Sequence, residues 1–283
     1  MKHEGKIALV TGGTRGIGKA ISLRLAQDGA DIILNYKTDS ATAEATAAEI
    51  HALGRRTWLI QADLKDDKAI KHLCSTIKKD VGQLDILVHN AAFGTMGNIL
   101  RMGLFSWNAA MAINVTALLR MTQLLAPMLS DSKGHIIGLS SIGADMTFSE
   151  YACIGVSKAA LESLCRYIAF ELAHLGIHCN AVSAGPIKTR ALDWFQFPHA
   201  VDNYGETKSP LSRVGRPDDL AGIVSFLCTP DADWIVGQVI RADGGISMGE
   251  NFTDWLEDGD EKEQALAKSA REWESAMSRA RRP

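Results

Sequence analysis

Tyr151 and Lys158 stand seven residues apart in the segment YACIGVSK, and their side chains could carry acid–base chemistry. Seven residues are close to two turns of an α-helix, so a helix through this segment places both side chains on one face. A tyrosine hydroxyl can donate a hydrogen bond to an oxygen that gains negative charge, and a nearby ammonium group polarises that hydroxyl. The pair therefore indicates a reaction in which charge develops on a substrate oxygen.

A glycine-rich segment, TGGTRGIG at 11–18, lies between an apolar run and a helical pattern. Its glycines allow a tight turn and a close approach of the backbone to a pyrophosphate. The start of the following helix adds free N–H groups and the positive end of the helix dipole. This context predicts a dinucleotide site. The loop residues expected to contact it are Gly12, Thr14, Arg15, Gly16, Ile17 and Gly18.

The end of the second predicted strand bears on the choice of dinucleotide. NAD-specific sites place an acidic residue there, on the ribose 2′-hydroxyl. Here the strand ends Leu34-Asn35-Tyr36-Lys37 and carries no carboxylate. Arg15 and Lys37 are instead available to meet a 2′-phosphate. The sequence therefore predicts NADPH as the cofactor in preference to NADH.

The elements that must position these residues are short apolar runs that alternate with helical patterns. Such runs are typical of strands buried on both faces of a parallel sheet. The alternation predicts an α/β fold, a doubly wound, Rossmann-type parallel sheet of about seven strands flanked by helices. The expected strands are 6–10, 31–35, 57–61, 85–89, 135–139, 178–182 and 238–241. The expected helices include 18–28, 41–53, 68–79, 105–129, 156–174 and 217–228.

No internal boundary interrupts this alternation, so we expect one catalytic domain over 1–249. The composition changes after that point, and 250–283 is expected to be a charged, partly helical C-terminal extension that is solvated or packs against another subunit. With 46% hydrophobic and 22% charged residues, the chain has the composition of a soluble globular protein. Its net charge of −3 gives no indication of nucleic-acid binding.

Other sequence features bear on the cellular location of the protein and on whether it has disulfides or a metal site. No apolar run approaches the ~18 residues of a membrane span, and the N-terminus leads directly into a strand, so we expect a cytoplasmic protein with no membrane partner. The five cysteines form no CxxC and are expected to be free buried thiols. His174 and His178 are four residues apart, but Gly176 breaks the helix between them. We therefore expect no metal site.

The chain resembles the short-chain dehydrogenase/reductase family from about residue 6 to residue 245. The segments that carry the resemblance are TGGTRGIG at 11–18, ADL at 62–64, HNAA at 89–92, INVTALL at 113–119, the serines at 140–141, SAGPIKT at 183–189 and ADGG at 242–245. The departures are His89, where asparagine is commoner, and Ala92, where glycine is usual. Both are interpreted as packing variations.

The resemblance implies roles for several residues. Asp63, with Leu64, contacts the adenine, and Asn90, with Ala91, supports the central strand and the cofactor. A segment containing Pro186, Ile187 and Thr189 cups the nicotinamide amide. Lys158 holds the nicotinamide ribose, and Asn114 has a structural and proton-relay role.

The commonest family pattern is Tyr-x3-Lys with a serine thirteen residues before the tyrosine. Counted from Lys158, that tyrosine position is Ile154, which cannot donate a proton, and Ser141 lies thirteen residues before it. The Tyr151–Lys158 spacing is Tyr-x6-Lys instead. This spacing resembles the enoyl-acyl-carrier-protein reductases, and the surrounding run with Arg15 is most similar to their NADPH-using type III branch.

Moving the tyrosine back by three residues keeps it on the same helix face and shifts it by roughly 4.5 Å. A ketone reductase protonates the oxygen on the carbon that accepts hydride. In an enoyl thioester, hydride goes to the β-carbon and charge develops on a carbonyl oxygen two carbons away. The direction and size of the shift agree with the second reaction, if Tyr151 lies near the start of the helix. Ser141 either takes part in the chemistry or lines the pocket.

The predicted function is NADPH-dependent reduction of trans-2-enoyl chains carried on acyl carrier protein or coenzyme A, as in fatty-acid synthesis. The alternatives are a carbonyl reductase or hydroxysteroid dehydrogenase, and a non-catalytic nucleotide-sensing protein. A homo-oligomer, either dimer or tetramer, is expected. The aromatic-rich segment after 184 is interpreted as a lid over an acyl chain, with a packed helix as the alternative. Its residues are Trp194, Phe195, Phe197, Pro198 and Tyr204.

Overall fold

Parallel strands form one sheet in this computed structural model, which describes residues 1–189 and 204–249 and the single positions 264, 268 and 271. The strands are β1 (Ile7–Thr11), β2 (Asp31–Tyr36), β3 (Thr57–Gln61), β4 (Ile86–His89), β5 (His135–Ser141), β6 (His178–Ala184) and β7 (Val239–Ala242). Their order is β3-β2-β1-β4-β5-β6-β7. The chain order reverses between β1 and β4, and ligands bind at such a switch point beyond the carboxyl ends of the strands. The predicted α/β fold is confirmed.

The two strands nearest to the catalytic pair are longer than predicted. β5 and β6 each continue for two residues past their expected ends, because the pairs Ser140↔Ser183 and Ser141↔Ala184 extend the ladder. The sequence does not indicate this extension, because the apolar runs that predicted the strands end before the serines. The extension places Ser141 at the carboxyl edge of the sheet.

Seven helices with described bounds flank the sheet: α1 (Gly16–Gln27), α2 (Ser40–Ala52), α3 (Asp67–Thr76), α4 (Leu104–Met111), α5 (Ala117–Ser132), α6 (Ala152–Leu172) and α7 (Pro217–Leu227). The helix predicted over 105–129 is α4 and α5 joined by a π turn, Ala112–Thr116. The helix predicted over 156–174 begins four residues earlier, at Ala152. Gly155 lowers the helical propensity there, but it lets the helix pack closely, since a Cβ would lie 2.6 Å from the Gly143 carbonyl oxygen.

The sheet is buried on both faces, as continuous apolar strands require. Alternate residues of β1 enter two different cores: Leu9 packs in the core beneath α3, α5 and α6, and Val10 packs in the core beneath α1, α2 and α7. Both side chains are fully buried. The five cysteines are buried and free, as predicted.

One helical stretch, Leu104–Ser132, is long and apolar enough to cross a membrane by length and composition. This is weak evidence, because the core helix of a soluble protein meets the same criteria. Leu118, Met121 and Leu125 of this stretch lie in the core beneath the sheet. The stretch therefore packs here as a core helix.

Candidate active site

The phosphate loop between β1 and α1 is held in shape by its glycines and by Asn90. Gly12 has a φ of +58°, which favours a residue without a Cβ. A Cβ on Gly18 would overlap the Gly12 carbonyl oxygen and lie 2.5 Å from Asn90 Nδ2. The Asn90 amide donates to the carbonyl oxygens of Thr11, at 2.9 Å, and Gly12, at 3.1 Å. Asn90 therefore fastens the loop to the end of β4.

The loop presents its backbone at the start of a helix. Arg15 is the N-cap of α1 and is exposed, and the N–H groups of the first turn follow it. Thr14 is buried, and its carbonyl oxygen accepts a hydrogen bond of 2.9 Å from Thr46 on α2. Ile17 is partly buried against the core beneath α1. This arrangement can bind a pyrophosphate.

Lys37 was predicted to meet the 2′-phosphate and Asp63 to contact the adenine. In the structure the two form an ion pair, with Lys37 Nζ 2.9 Å from Asp63 Oδ2. Burial opposes the charge of Asp63, but hydrogen bonds from the Lys65 backbone and Lys37 outweigh it and lower the pKa of that carboxyl. Both partners are more than a third exposed, so the pair adds little stability. Leu64 beside them is buried. Because Lys37 is already paired with Asp63, whereas Arg15 is exposed at the start of α1, Arg15 is the better candidate for contact with a 2′-phosphate.

The predicted nicotinamide segment reaches the phosphate loop at Thr189. The Pro186 carbonyl oxygen accepts from the Gly215 N–H at 2.9 Å, and Ile187 is buried beside that glycine. The Thr189 methyl carbon lies 3.5 Å from the position of a Cβ on Gly16. Ala91 is joined to the same region by a 3.0 Å hydrogen bond from its N–H to Thr11 Oγ1. The structure thus brings Thr189 and Ala91 to the phosphate loop, at the carboxyl end of β1.

Tyr151 is the N-cap of α6, which is the position that the spacing argument requires. Glu150 before it has a φ of +61°, an uncommon conformation for a residue with a Cβ. The Tyr151 ring lies against Gly143, where a Cβ would come within 2.7 Å of its Cδ1. Its hydroxyl lies 3.2 Å from Ser141 Oγ. Backbone turn and ring packing therefore point the phenol at the end of β5.

Burial raises the pKa of Tyr151, although the Ser141 hydrogen bond acts in the opposite direction. The hydroxyl consequently keeps its proton at neutral pH and can donate a hydrogen bond. Phe148 meets the Tyr151 ring edge-on at 5.9 Å, and Tyr204 meets Phe148 in the same way at 6.2 Å. Of the predicted lid residues, Trp194, Phe195, Phe197 and Pro198 lie outside the described residues. Tyr204 forms part of an aromatic wall beside the phenol.

Lys158 lies two turns along α6 and is almost fully buried. Its Nζ donates to the Leu139 carbonyl oxygen at 2.6 Å. Burial lowers the pKa of Lys158 to about 8, although Cys165 and Glu162 act to raise it. A buried lysine whose pKa is lowered to about 8, on the same helix as Tyr151, is typical of a functional site.

Asn114 lies in the π turn and is fully buried. Its side chain exchanges two 2.8 Å hydrogen bonds with the Phe93 backbone and donates to Ser157 Oγ at 2.7 Å. These contacts agree with the structural role predicted for Asn114. Its proton-relay role stays a prediction. Ser157 was missed in the sequence, where only its place beside Lys158 singles it out. It links the π turn to the catalytic helix.

Two positions that differ from the commonest family residues, His89 and Ile154, have clear packing partners. His89 Nε2 lies 3.0 Å from the Ile113 carbonyl oxygen, and burial together with the Lys158 charge lowers the pKa of this imidazole to about 4. His89 is therefore neutral at pH 7 and acts as a core donor. Ile154 lies against Gly94, where a Cβ would overlap its Cγ1. An apolar side chain thus fills the Tyr-x3-Lys position.

Residues 12–247 match the protein family described as Enoyl-(Acyl carrier protein) reductase. Together with the sheet order, the phosphate loop and the Tyr151–Lys158 pair, this match shows the class of the protein. The chain belongs to the short-chain dehydrogenase/reductase superfamily. It is an NAD(P)-dependent oxidoreductase.

Named relatives cover most of the chain. It is 33% identical over 248 residues to 1-cyclohexenylcarbonyl-CoA reductase of Streptomyces collinus, covering 86% of this chain and 87% of the relative. It is 34% identical over 245 residues to a 3-oxoacyl-(acyl-carrier-protein) reductase of Synechocystis sp., covering 86% and 97%. A Burkholderia cenocepacia short-chain dehydrogenase, solved in complex with NADP, matches at 34% identity and a TM-score of 0.81, over 87% of this chain and 99% of that chain. Relatives with different substrates are thus about equally similar.

Proposed function

We propose that this protein reduces the trans-2 double bond of enoyl thioesters with NADPH. One observation carries the proposal: Tyr151 caps the start of α6, while Ile154 fills the position one turn nearer to Lys158 and packs on Gly94. The hydroxyl that donates the hydrogen bond thereby lies one helical turn further from Lys158 than in the Tyr-x3-Lys pattern. That displacement suits a substrate whose reacting carbon and charged oxygen are two carbons apart.

The residues then have distinct tasks. Bound NADPH supplies the hydride. As hydride adds to the β-carbon, the electron pair of the double bond moves to the thioester oxygen, and the Tyr151 hydroxyl stabilises that oxygen by a hydrogen bond. The Lys158 ammonium group would bind the ribose hydroxyls of the nucleotide, and its positive charge would favour negative charge near the phenol. The electron pair held on the oxygen then forms a C–H bond at the α-carbon with a proton from solvent, which completes the saturated thioester.

The choice of NADPH rests on Arg15. Its guanidinium group is exposed at the N-cap of α1, and no hydrogen bond or ion pair of that group is found within residues 1–189 and 204–249. A guanidinium group binds a phosphate in bidentate fashion. The Burkholderia cenocepacia relative, which was solved with NADP, is consistent with this choice.

A thioester substrate agrees with the relatives, two of which are named for acyl-CoA and acyl-carrier-protein substrates. We propose the same carriers here, acting in fatty-acid synthesis. The aromatic wall of Phe148 and Tyr204 offers an apolar surface beside Tyr151 for the acyl chain.

A second candidate is carbonyl reduction. The 3.2 Å contact between Ser141 and Tyr151 favours it, because ketone reductases of this superfamily use such a hydroxyl pair. A non-catalytic, nucleotide-sensing role is disfavoured, since Tyr151 and Lys158 are both retained in a buried, polar arrangement.

We also propose that the chain forms a homo-oligomer. Several large apolar side chains are exposed, namely Phe105, Tyr167, Phe170 and Trp234, and a second copy could cover them. Light scattering should give the mass of a dimer or tetramer. A monomeric mass at micromolar concentration would remove this proposal.

The direct test of the proposed reaction is NADPH oxidation by the pure protein with crotonyl-CoA and with crotonyl-acyl carrier protein. We expect turnover and a butyryl thioester as the product by mass spectrometry. Ile154→Val, which keeps an apolar side chain against Gly94, is the matched control and should retain the activity. Oxidation of NADPH with acetoacetyl thioester but not with crotonyl thioesters would favour carbonyl reduction as the function instead.

A further inference from the structure

Two histidines at the amino ends of neighbouring strands form a cluster with Asp233. His135 opens β5 and His178 opens β6, and the two residues are direct partners in the parallel register. Their imidazole rings stack with centroids 5.0 Å apart and 22° between the planes. The candidate ligand atoms of the three residues all lie within 4.8 Å of one another. The cluster lies at the opposite edge of the sheet from Ser141 at the carboxyl end of β5, and so apart from the catalytic pair.

Both imidazoles contain a buried nitrogen that has no partner. Nδ1 of His135 and Nδ1 of His178 are buried, and neither has a hydrogen bond within the part of the chain that the structure describes. Burying a polar nitrogen in this way costs free energy, so native structures rarely keep two side by side. A coordinated cation is one partner that an imidazole nitrogen can take.

The backbone around the cluster is fixed before any cation binds. Asn180 on β6 donates to the Ile235 carbonyl oxygen at 2.6 Å and accepts from the Gln238 N–H at 2.8 Å. These bonds fasten the turn that carries Asp233 to the strand that carries His178. The backbone positions of His178 and Asp233 are therefore held close to each other.

We propose that His135, His178 and Asp233 form a binding site for a zinc ion. Two imidazoles and one carboxylate suit zinc, whereas magnesium and calcium prefer oxygen ligands alone. Zinc binds nitrogen at about 2.0–2.1 Å, so coordination must draw the ligand atoms closer than 4.8 Å. It also requires the stacked imidazole rings to turn about their side-chain bonds until one nitrogen lone pair of each points at the ion. The fourth position is left for water. Because the site joins β5, β6 and the turn before β7, the ion stabilises the fold and takes no part in the reduction.

The sequence interpretation expected no metal site because it compared His178 with His174, its neighbour along the chain. The fold pairs His178 with His135 from another strand instead. Spacing along the chain gives no signal for such a pair.

The test is zinc titration of the untagged, chelator-treated full-length protein in competition with a chromophoric chelator near neutral pH. We expect one zinc ion per chain and a higher melting temperature with zinc than without it. His178→Gln and Asp233→Asn should each weaken zinc binding by at least about tenfold and remove the thermal shift. His174→Gln is the matched control, since His174 is exposed and lies outside the cluster.

Asp233 is exposed, so Asp233→Asn is expected to fold even if His178→Gln does not, and circular dichroism checks both. Three results would overturn the proposal. They are the absence of one-to-one binding, wild-type affinity in Asp233→Asn, and an equal loss of affinity in His174→Gln. None of these readouts depends on enzyme activity or on the proposed reaction.

Discussion

The phosphate loop at 11–18 and the catalytic segment at 141–158 lie at the same edge of the sheet, yet different forces position them. In the loop, backbone conformation sets the geometry, through the left-handed Gly12 and the close contact between Gly18 and the Gly12 carbonyl group. In the catalytic segment, side-chain packing adds to the backbone turn at Glu150 and sets the position of the phenol. The Tyr151 ring lies on Gly143, and Ile154 lies on Gly94.

This difference determines what each region can tolerate. A loop whose shape is set by its backbone tolerates changes in exposed side chains. A substitution at its surface should therefore alter the affinity for the cofactor and leave turnover unchanged. A phenol positioned by packing responds to changes in the volume of its neighbours. Substitutions in the catalytic segment should therefore alter turnover more than cofactor binding, and substitutions in the loop should do the reverse.

The largest expected effect is that of Tyr151→Phe. It removes the hydrogen bond to the thioester oxygen and should lower kcat for crotonyl thioester by on the order of a hundredfold or more. The dissociation constant for NADPH should stay nearly unchanged, as fluorescence titration would show. Tyr167→Phe, at an exposed position of the same helix, is the control and should keep the full rate. More than half of the wild-type rate in Tyr151→Phe would remove this residue from the mechanism.

Gly143→Ala tests the packing directly. The added Cβ would come within 2.7 Å of Tyr151 Cδ1, so the ring must move. Because a misplacement of ~1 Å can cost up to about a hundredfold, we expect a clear fall in kcat with little change in NADPH affinity. Gly103→Ala adds the same methyl group where no atom lies within 4 Å and should have no effect on kcat. An unchanged kcat in Gly143→Ala would mean that ring packing does not position the phenol.

On the loop side, Arg15→Ala should weaken NADPH by about tenfold or more, since a hydrogen bond to a charged group contributes about 1.5–3 kcal/mol. NADH, which lacks the 2′-phosphate, should lose much less affinity. Lys37→Ala should cost less than Arg15→Ala, because Lys37 is already paired with Asp63. An equal loss of affinity for NADPH and NADH would mean that Arg15 supports the shape of the loop and does not contact the 2′-phosphate. A wild-type preference for NADH would contradict the cofactor assignment.

The smallest expected effect concerns Lys158, whose pKa is lowered to about 8 by burial. As the pH rises through this value the ammonium group loses its proton, so kcat/KM should fall on the alkaline side. The folded-state pKa lies below the ordinary value of 10.5, so the unfolded chain binds more protons between the two values and stability should rise with pH in that window. Below pH ~8, Lys158→Met should unfold at a higher temperature than the wild type, because it removes a buried charge.

The comparison with Lys158→Met should change with pH in a defined direction. Its stability advantage over the wild type should shrink as the pH rises from about 8 towards 10.5. A flat kcat/KM profile across pH 8, or a Lys158→Met protein that is less stable than the wild type near pH 7, would contradict this account of the lysine.

The sheet and the loop could be predicted from the sequence because local patterns determine them. Continuous apolar runs marked the seven strands, and the glycines marked the turn before α1. The prediction from the sequence was weaker where contacts between distant parts of the chain determine the local structure. Nothing local indicates the π turn around Asn114 or its bond to Ser157, and Gly155 concealed the first turn of α6. The stacking of His135 on His178 likewise exists only once β5 and β6 pair.

The central claim, that this site is arranged for enoyl thioesters, is tested most directly by internal competition. Equimolar crotonyl-CoA and acetoacetyl-CoA are offered to the wild-type protein with limiting NADPH, and the two products are measured by mass spectrometry. Their ratio gives the ratio of the two kcat/KM values. The position of Tyr151 at the start of α6, with Ile154 in the nearer position, predicts that butyryl-CoA predominates. Predominance of 3-hydroxybutyryl-CoA would contradict the account.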